Sequence, residues 1–226
     1  MYQYSYLIAN SPLVVIWLFL FFKRKDFRFE MLSFSILFGI IGLFVQPIYI
    51  KDWWHPLTVT NTAIGIEDFL FGFLIAGISS VIYEFIFRKR IKLRGANSNK
   101  SSLRFVYLNL PLAIIFFGGF AFLKLNSFWA SILGFFPLMI FIYFKRPDLI
   151  ADSIISGVIM VLLGFVWFWV PEFFTPGWVE NYWYLDKISG IRILKAPLED
   201  LIWVFMAGAY IAPLYEFWRR GKLVKL

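Results

Sequence analysis

The chain has 226 residues, of which 61% are hydrophobic, 22% aromatic and 16% charged, with a mean hydropathy of +0.74. Soluble domains carry about 25% charged residues, so this composition excludes an ordinary soluble domain and points to a chain solvated by lipid. The net charge is +8, and cysteine is absent, which removes disulfide and thiolate chemistry.

Seven apolar runs, each near the ~20 residues a bilayer helix needs, follow in chain order. They are Tyr6–Phe22, Met31–Ile50, Ile66–Phe87, Phe105–Leu123, Ser127–Phe144, Ile150–Val170 and Pro197–Trp218. The first lacks the basic start and small-residue cleavage site of a signal peptide, so it reads as a retained helix. The pattern predicts an all-α integral membrane protein with seven transmembrane helices. No polar or Gly/Ser-rich linker divides it, so one membrane domain over 1–226 is expected.

Most of the 22 Lys and Arg fall in the segments after the first, third, fifth and seventh runs. Lys and Arg collect in cytoplasmic loops. The amino terminus is therefore expected outside and the carboxyl terminus in the cytoplasm, in a cell (inner) membrane. The basic loop "RKRIKLRGANSNKSSLR", Arg88 to Arg104, contains no acid and suits contact with anionic membrane lipid. No soluble module for nucleic-acid binding is visible. There is no Gly-rich nucleotide-binding fingerprint and no P-loop. One histidine, His55, and no cysteine argue against a zinc site.

The chain repeats itself. "FFKRKDFRFE" (Phe21–Glu30) matches "YFKRPDLIAD" (Tyr143–Asp152), and Gly42 matches Gly164 at the same spacing. "GIEDFLFGFLIAGISSVIYEF" (Gly65–Phe85) matches "APLEDLIWVFMAGAYIAPLYEF" (Ala196–Phe217), both opening on an acid pair and closing on Tyr-Glu. The first three spans thus recur as the last three. This gives a 3+1+3 parallel repeat: repeat A over 1–95, a linker helix in 96–125, and repeat B over 126–226. The axis relating the copies runs along the membrane normal.

The acid pairs are Glu67-Asp68 and Glu199-Asp200. Neighbouring residues on a helix diverge by about 100°, so both acids of a pair cannot address one point. Acids in a first helical turn are also ordinary caps, and Pro197 suits a first helical position. Duplication at matched spacing argues against capping alone. Glu84 with Arg88, and Glu216 with Arg220, have the i,i+4 spacing of structural ion pairs. Asp26, Glu30, Asp148 and Asp152 read as helix-start acids beside basic residues.

The aromatic loops "DWWHPLTVTNTAIGIEDFLF" and "NYWYLDKISGIRILKAPLEDLIW", each running through Gly into an acid pair and an apolar helix, resemble the membrane-integral, non-flavin lycopene β-cyclases. Both pairs here are Glu-Asp where that family has Glu-Glu. Gln46 stands where the family has an acid before the first loop, and only Glu172 is offered before the second. The resemblance implies a carotenoid end-group cyclase that isomerises lycopene to β-carotene through γ-carotene. It implies Glu67 and Glu199 as primary catalytic acids, with Asp68 and Asp200 supporting them. Trp54, Trp183, Tyr184, Phe71 and Trp203 are implied as substrate-binding residues. The reaction is redox-neutral, so no flavin, metal or other cofactor is expected. The partners implied are a lipophilic carotenoid and membrane lipid.

Such chemistry needs a protonated carboxyl, a dry slot and groups that tolerate a carbocation. A carboxyl in an apolar site can keep its proton at neutral pH and act as an acid. Aromatic faces attract cations. The alternatives are a related carotenoid or isoprenoid end-group hydratase, and a non-enzymatic small transporter or lipid-binding protein. The sequence does not fix the oligomeric state.

Overall fold

A computed structural model describes residues 2–93 and 98–225. Helices α1 (Ser5–Lys23), α2 (Arg28–Tyr49) and α3 (Ile66–Ser79) lead to the short α4 (Ile82–Ile86) and strand β1 (Lys89–Leu93). Then come α5 (Ser98–Ala121), α6 (Ser127–Lys145), α7 (Ile150–Phe174) and the short α8 (Trp178–Tyr182). Strands β2 (Arg192–Ile193) and β3 (Ala196–Pro197), helices α9 (Leu198–Ile211) and α10 (Leu214–Arg219), and strand β4 (Gly221–Lys225) complete the order.

Among the described residues five helical segments are long and apolar enough to cross a membrane: Tyr2–Lys23, Lys25–Tyr49, Ser127–Lys145, Pro147–Phe174 and Leu198–Arg219. The expected span Ile66–Phe87 is not one helix. It breaks at Ser80 and Val81, leaving α3 with 14 residues. The Ser80 hydroxyl donates to the Gly77 carbonyl at 3.1 Å, in competition with the helix ladder. The copy breaks at the matching place between α9 and α10, where Pro213 has no N–H to give. The expected run Phe105–Leu123 lies within α5 except for its last two residues, and among the described residues the apolar stretch of α5 is Asn109–Ala121. In the basic loop 94–97 lie outside the described residues.

Two small sheets depart from the all-α expectation. β1 pairs antiparallel with β4, with Lys92 opposite Lys222, and so ties the ends of the two copies together. β2 pairs with β3 in the loop before α9. Arg88 and Arg220 immediately precede β1 and β4 at equivalent places. Each has a left-handed backbone, φ 49° and 53°, and this turns the chain out of its helix.

The helices pack in matching pairs. α2 lies along α3 and α7 along α9, α1 rests on α3 and α6 on α9, and α3 meets α9 at the centre. Small residues set the closest approaches. The α carbon of Gly39 lies 3.3 Å from the place a Cβ on Gly72 would occupy, and that of Gly157 has the same separation from one on Gly208. In lipid, packing of this kind replaces the hydrophobic drive between helices.

The copies differ at their outer seams. α1 packs broadly on α7. That seam is sewn by the Trp167 indole donating to Asn10 Oδ1 at 3.0 Å and by a 2.8 Å bond between the Ser5 and Thr175 hydroxyls. The counterpart helices α6 and α2 barely meet, and α5 packs on α6 beside them.

Candidate functional site

A cavity of about 470 Å³ lies among α1, α2, α3, α5, α6, α7 and α9. Its walls are mostly apolar and aromatic, among them Trp53, Trp54, Phe71, Phe116, Trp167 and Trp203. The polar lining is sparse: Asp68, Asp200, Gln46, Asn109 and Ser131, with the phenols of Tyr6 and Tyr49. The size and character suit a lipophilic ligand fixed by a few polar groups.

Each acid pair divides its labour. Asp68 lines the cavity at the first turn of α3, where its Oδ2 accepts the Gly65 N–H at 2.8 Å. Its Oδ1 is buried without a hydrogen bond of ordinary geometry, beside the buried Tyr6. Asp200 lines the cavity from α9, and one oxygen receives two indole N–H groups, from Trp53 at 3.1 Å and Trp183 at 3.0 Å.

Glu67 and Glu199 are buried but are not in the cavity wall. Glu67 Oε1 accepts the Val59 N–H at 2.7 Å, and Glu199 Oε1 accepts the Ser189 N–H at 2.7 Å. Each glutamate thus holds the loop that precedes its own helix. The divergence of neighbouring helix positions produces this split in both copies.

The two aromatic loops meet over the cavity. Trp54 and Trp183 form an isolated antiparallel bridge, with ring centroids 5.3 Å apart. The His55 N–H bonds the Tyr182 carbonyl at 2.8 Å, and the Tyr184 N–H bonds the Trp53 carbonyl at 2.9 Å. Of the aromatic residues singled out by sequence, Trp54, Phe71 and Trp203 reach the cavity, Phe71 stacking on Trp203 at 5.9 Å. Trp183 stands behind Asp200, and Tyr184 lies in the loop against His55 and Lys187.

Several lining residues were not singled out by sequence. Trp53 is adjacent to Trp54, and no periodicity in a loop says which of two tryptophans faces inward. Tyr6 and Tyr49 sit at helix ends, where tyrosine is expected as an interfacial anchor. Asn109 was a plain polar residue inside an apolar run. Glu172, weighed as a family acid, accepts the Gly177 and Trp178 N–H groups at 2.8 and 3.1 Å and so caps a turn instead.

The opposite end of the bundle corrects a second expectation. Among the described residues no ion pair joins Glu84 to Arg88 or Glu216 to Arg220. The left-handed backbone at each arginine ends the helix before the i,i+4 geometry forms. Glu84 and Glu216 turn inward instead, near Glu30 and Asp152, all four at most 2% exposed. Arginines brace this end identically in both copies. Arg24 grips Asp26 with two N–H groups and donates to the Glu84 and Lys89 carbonyls at 2.7 and 2.5 Å. Arg146 grips Asp148 and donates to the Glu216 and Gly221 carbonyls at 3.4 and 2.9 Å.

Arg24→Met should therefore lower stability by about 1–3 kcal/mol, because it leaves buried carbonyls without donors. Arg146→Met should be milder, since the Arg146 side chain is 22% exposed against 8% for Arg24 and water can replace it. Thermal unfolding of both variants in lipid checks this. Equal effects would show that the brace does not act through buried carbonyls.

Comparison with known proteins gives one finding. No curated protein and no solved structure matches the chain. The family model described as lycopene cyclase matches residues 3–86 and 126–218. The unmatched stretch between them holds β1 and α5. The two matched segments carry the two aspartates that line the cavity, and together they cover more than half of the chain, which therefore belongs to the lycopene cyclase family.

Proposed function

We propose that this protein is a lycopene β-cyclase that converts lycopene to β-carotene through γ-carotene within a bilayer. One observation carries the reading: two carboxyls, Asp68 and Asp200, come from equivalent turns of two repeats into one aromatic cavity. A proton delivered to the terminal double bond of a linear end group leaves a tertiary cation. A nearby double bond attacks it and closes a six-membered ring. Loss of a proton from the ring then restores neutrality, so protons and electrons balance without a redox partner.

The hydrogen bonds support a division of roles between the aspartates. Asp68 has one oxygen occupied by a backbone N–H and the other beside the Tyr6 phenol alone, which suits a carboxyl that carries and donates a proton. Asp200 collects two indole donors on one oxygen. Convergent N–H donors suit an acceptor that carries charge, and so a base. Glu67 and Glu199, the primary acids in the family resemblance, fit better as positioning residues, because they fasten the loops that roof the cavity. The faces of Trp54, Phe71 and Trp203 supply cation-tolerant walls, and a dry slot keeps water from trapping the cation. Hydration of the end group would pass through the same cation and end in a tertiary alcohol. The sparsely polar wall favours cyclisation over it, and a largely apolar slot favours a carotenoid over a polar transported solute.

In this reading the chain is a single membrane domain of 3+1+3 helices in an inner membrane, with α3–α4 counted as one span. The amino terminus faces outward and the acid pairs lie near the outer surface. A reporter inserted at the exposed Asn61 should behave as external, and one fused after Leu226 as cytoplasmic. The reverse pattern would overturn this topology. Expression in lycopene-accumulating bacteria, followed by pigment chromatography, tests the activity. Cyclic carotenoids are expected, and unchanged lycopene in a strain with inserted protein would refute it.

A further inference from the structure

We infer that a long polyene enters the cavity sideways, from the lipid, through a single mouth between α2 and α5. This inference rests on the proposed carotenoid substrate. The cavity holds roughly the volume of fifteen waters at about 30 Å³ each, which is room for an end group and not for a whole carotenoid. The remainder of a bound chain must therefore lie outside, and the cavity needs an opening that a stiff apolar rod can cross.

The lining locates that opening. Among the described lining residues only Phe44 and Phe117 are exposed, at 69% and 45%. Phe44 is on α2 and Phe117 on α5. Their neighbours in the wall, Ile41 and Val45 on α2 and Leu112 and Ala113 on α5, are half-buried. On the far side the lining residues Tyr6, Leu13, Trp167 and Phe168 are buried. There the α1–α7 seam is closed by the Asn10–Trp167 and Ser5–Thr175 bonds.

The repeat alone would put a matching closed seam between α6 and α2. Ile132 takes the place of Asn10 in the second copy, so the side chain that accepts the sealing indole is missing. α5, which lies outside both matched segments, stands at this loose seam and forms one jamb of the mouth. The linker helix thus makes a nearly two-fold protein one-sided. One mouth admits one end at a time, so a doubly cyclised product requires the chain to withdraw and return by its other end.

The absence of cysteine allows a direct test. Phe117→Cys, and separately Phe44→Cys, would be purified in lipid and labelled with a bulky maleimide. Leu162→Cys, on the exposed face of α7 and outside the lining, serves as control. Lycopene binding would be followed by quenching of tryptophan fluorescence, since Trp53, Trp54 and Trp203 line the cavity. Labelling at either mouth position should slow the binding rate at least tenfold relative to the same variant before labelling, with little change when the control is labelled. Unchanged binding rates after labelling at both mouth positions would overturn the mouth, whatever the protein catalyses. Equal slowing by the control label would also overturn it. If unlabelled protein binds lycopene and returns it uncyclised, the proposed reaction fails while the binding rates still decide the mouth.

Discussion

Asp68→Asn and Asp200→Asn should each lower cyclisation by at least the ~10²-fold expected when a general acid or base is lost, with the fold intact. Asparagine is nearly the same size as aspartate and keeps a carbonyl oxygen. In Asp68→Asn that oxygen can still accept the Gly65 N–H, and asparagine is itself a good helix-capping residue. In Asp200→Asn it can still accept the indoles of Trp53 and Trp183. What each variant lacks is the transferable proton or the charge that receives one. Since the two groups serve one proton cycle, the double variant should be little worse than either single one.

The glutamates give the contrast. Glu67→Gln and Glu199→Gln retain an oxygen for the Val59 and Ser189 N–H groups, so their losses should fall short of the aspartate variants. Initial rates in lipid, read by pigment chromatography, separate the cases. Dead glutamine variants beside active asparagine variants would return the acid and base to Glu67 and Glu199. Four active variants would reduce both pairs to caps.

Hydropathy and the repeat made the helical membrane character legible, because they depend on runs of residues and not on single contacts. The interruption at Ser80 and Val81 was hidden, since two serines in an apolar run do not announce a break, whereas Pro213 in the copy carries such a signal. The acid pairs were legible as a site because they recur at fixed spacing. Which acid of each pair faces the cavity depends on the rotation of α3 and α9, and the close glycine contacts that set this rotation cannot be read from the pairs themselves. The inward turn of Glu84 and Glu216 was equally hidden. It depends on a left-handed backbone at two arginines, and arginine carries no such preference.

Gly42 and Gly164 occupy equivalent places in the repeat, and replacing each with alanine should have opposite effects. A Cβ on Gly42 would lie 2.6 Å from the carbonyl oxygen of Asp68. An ordinary carbon–oxygen approach is about 3.3–3.6 Å, and this oxygen belongs to the backbone and has no rotamer to change. The first turn of α3 would have to move away by most of an ångström, carrying the Asp68 carboxyl with it. Gly42→Ala should therefore lose about 1–3 kcal/mol to overpacking, and cyclisation should fall by up to ~10²-fold, as expected for a catalytic group displaced by about 1 Å. A Cβ on Gly164 would meet Val204 Cγ2 at 3.3 Å and Leu201 Cδ2 at 3.8 Å, both of them side-chain atoms that can give way. Replacing a helical glycine by alanine is otherwise favourable by about 0.5–1 kcal/mol. Gly164→Ala should hold or raise the unfolding temperature and leave the rate nearly unchanged. Thermal unfolding and initial rates of the two variants, side by side in the same lipid, decide the matter. Equal behaviour would mean that the contact of α2 with the Asp68 turn does not set the position of the acid.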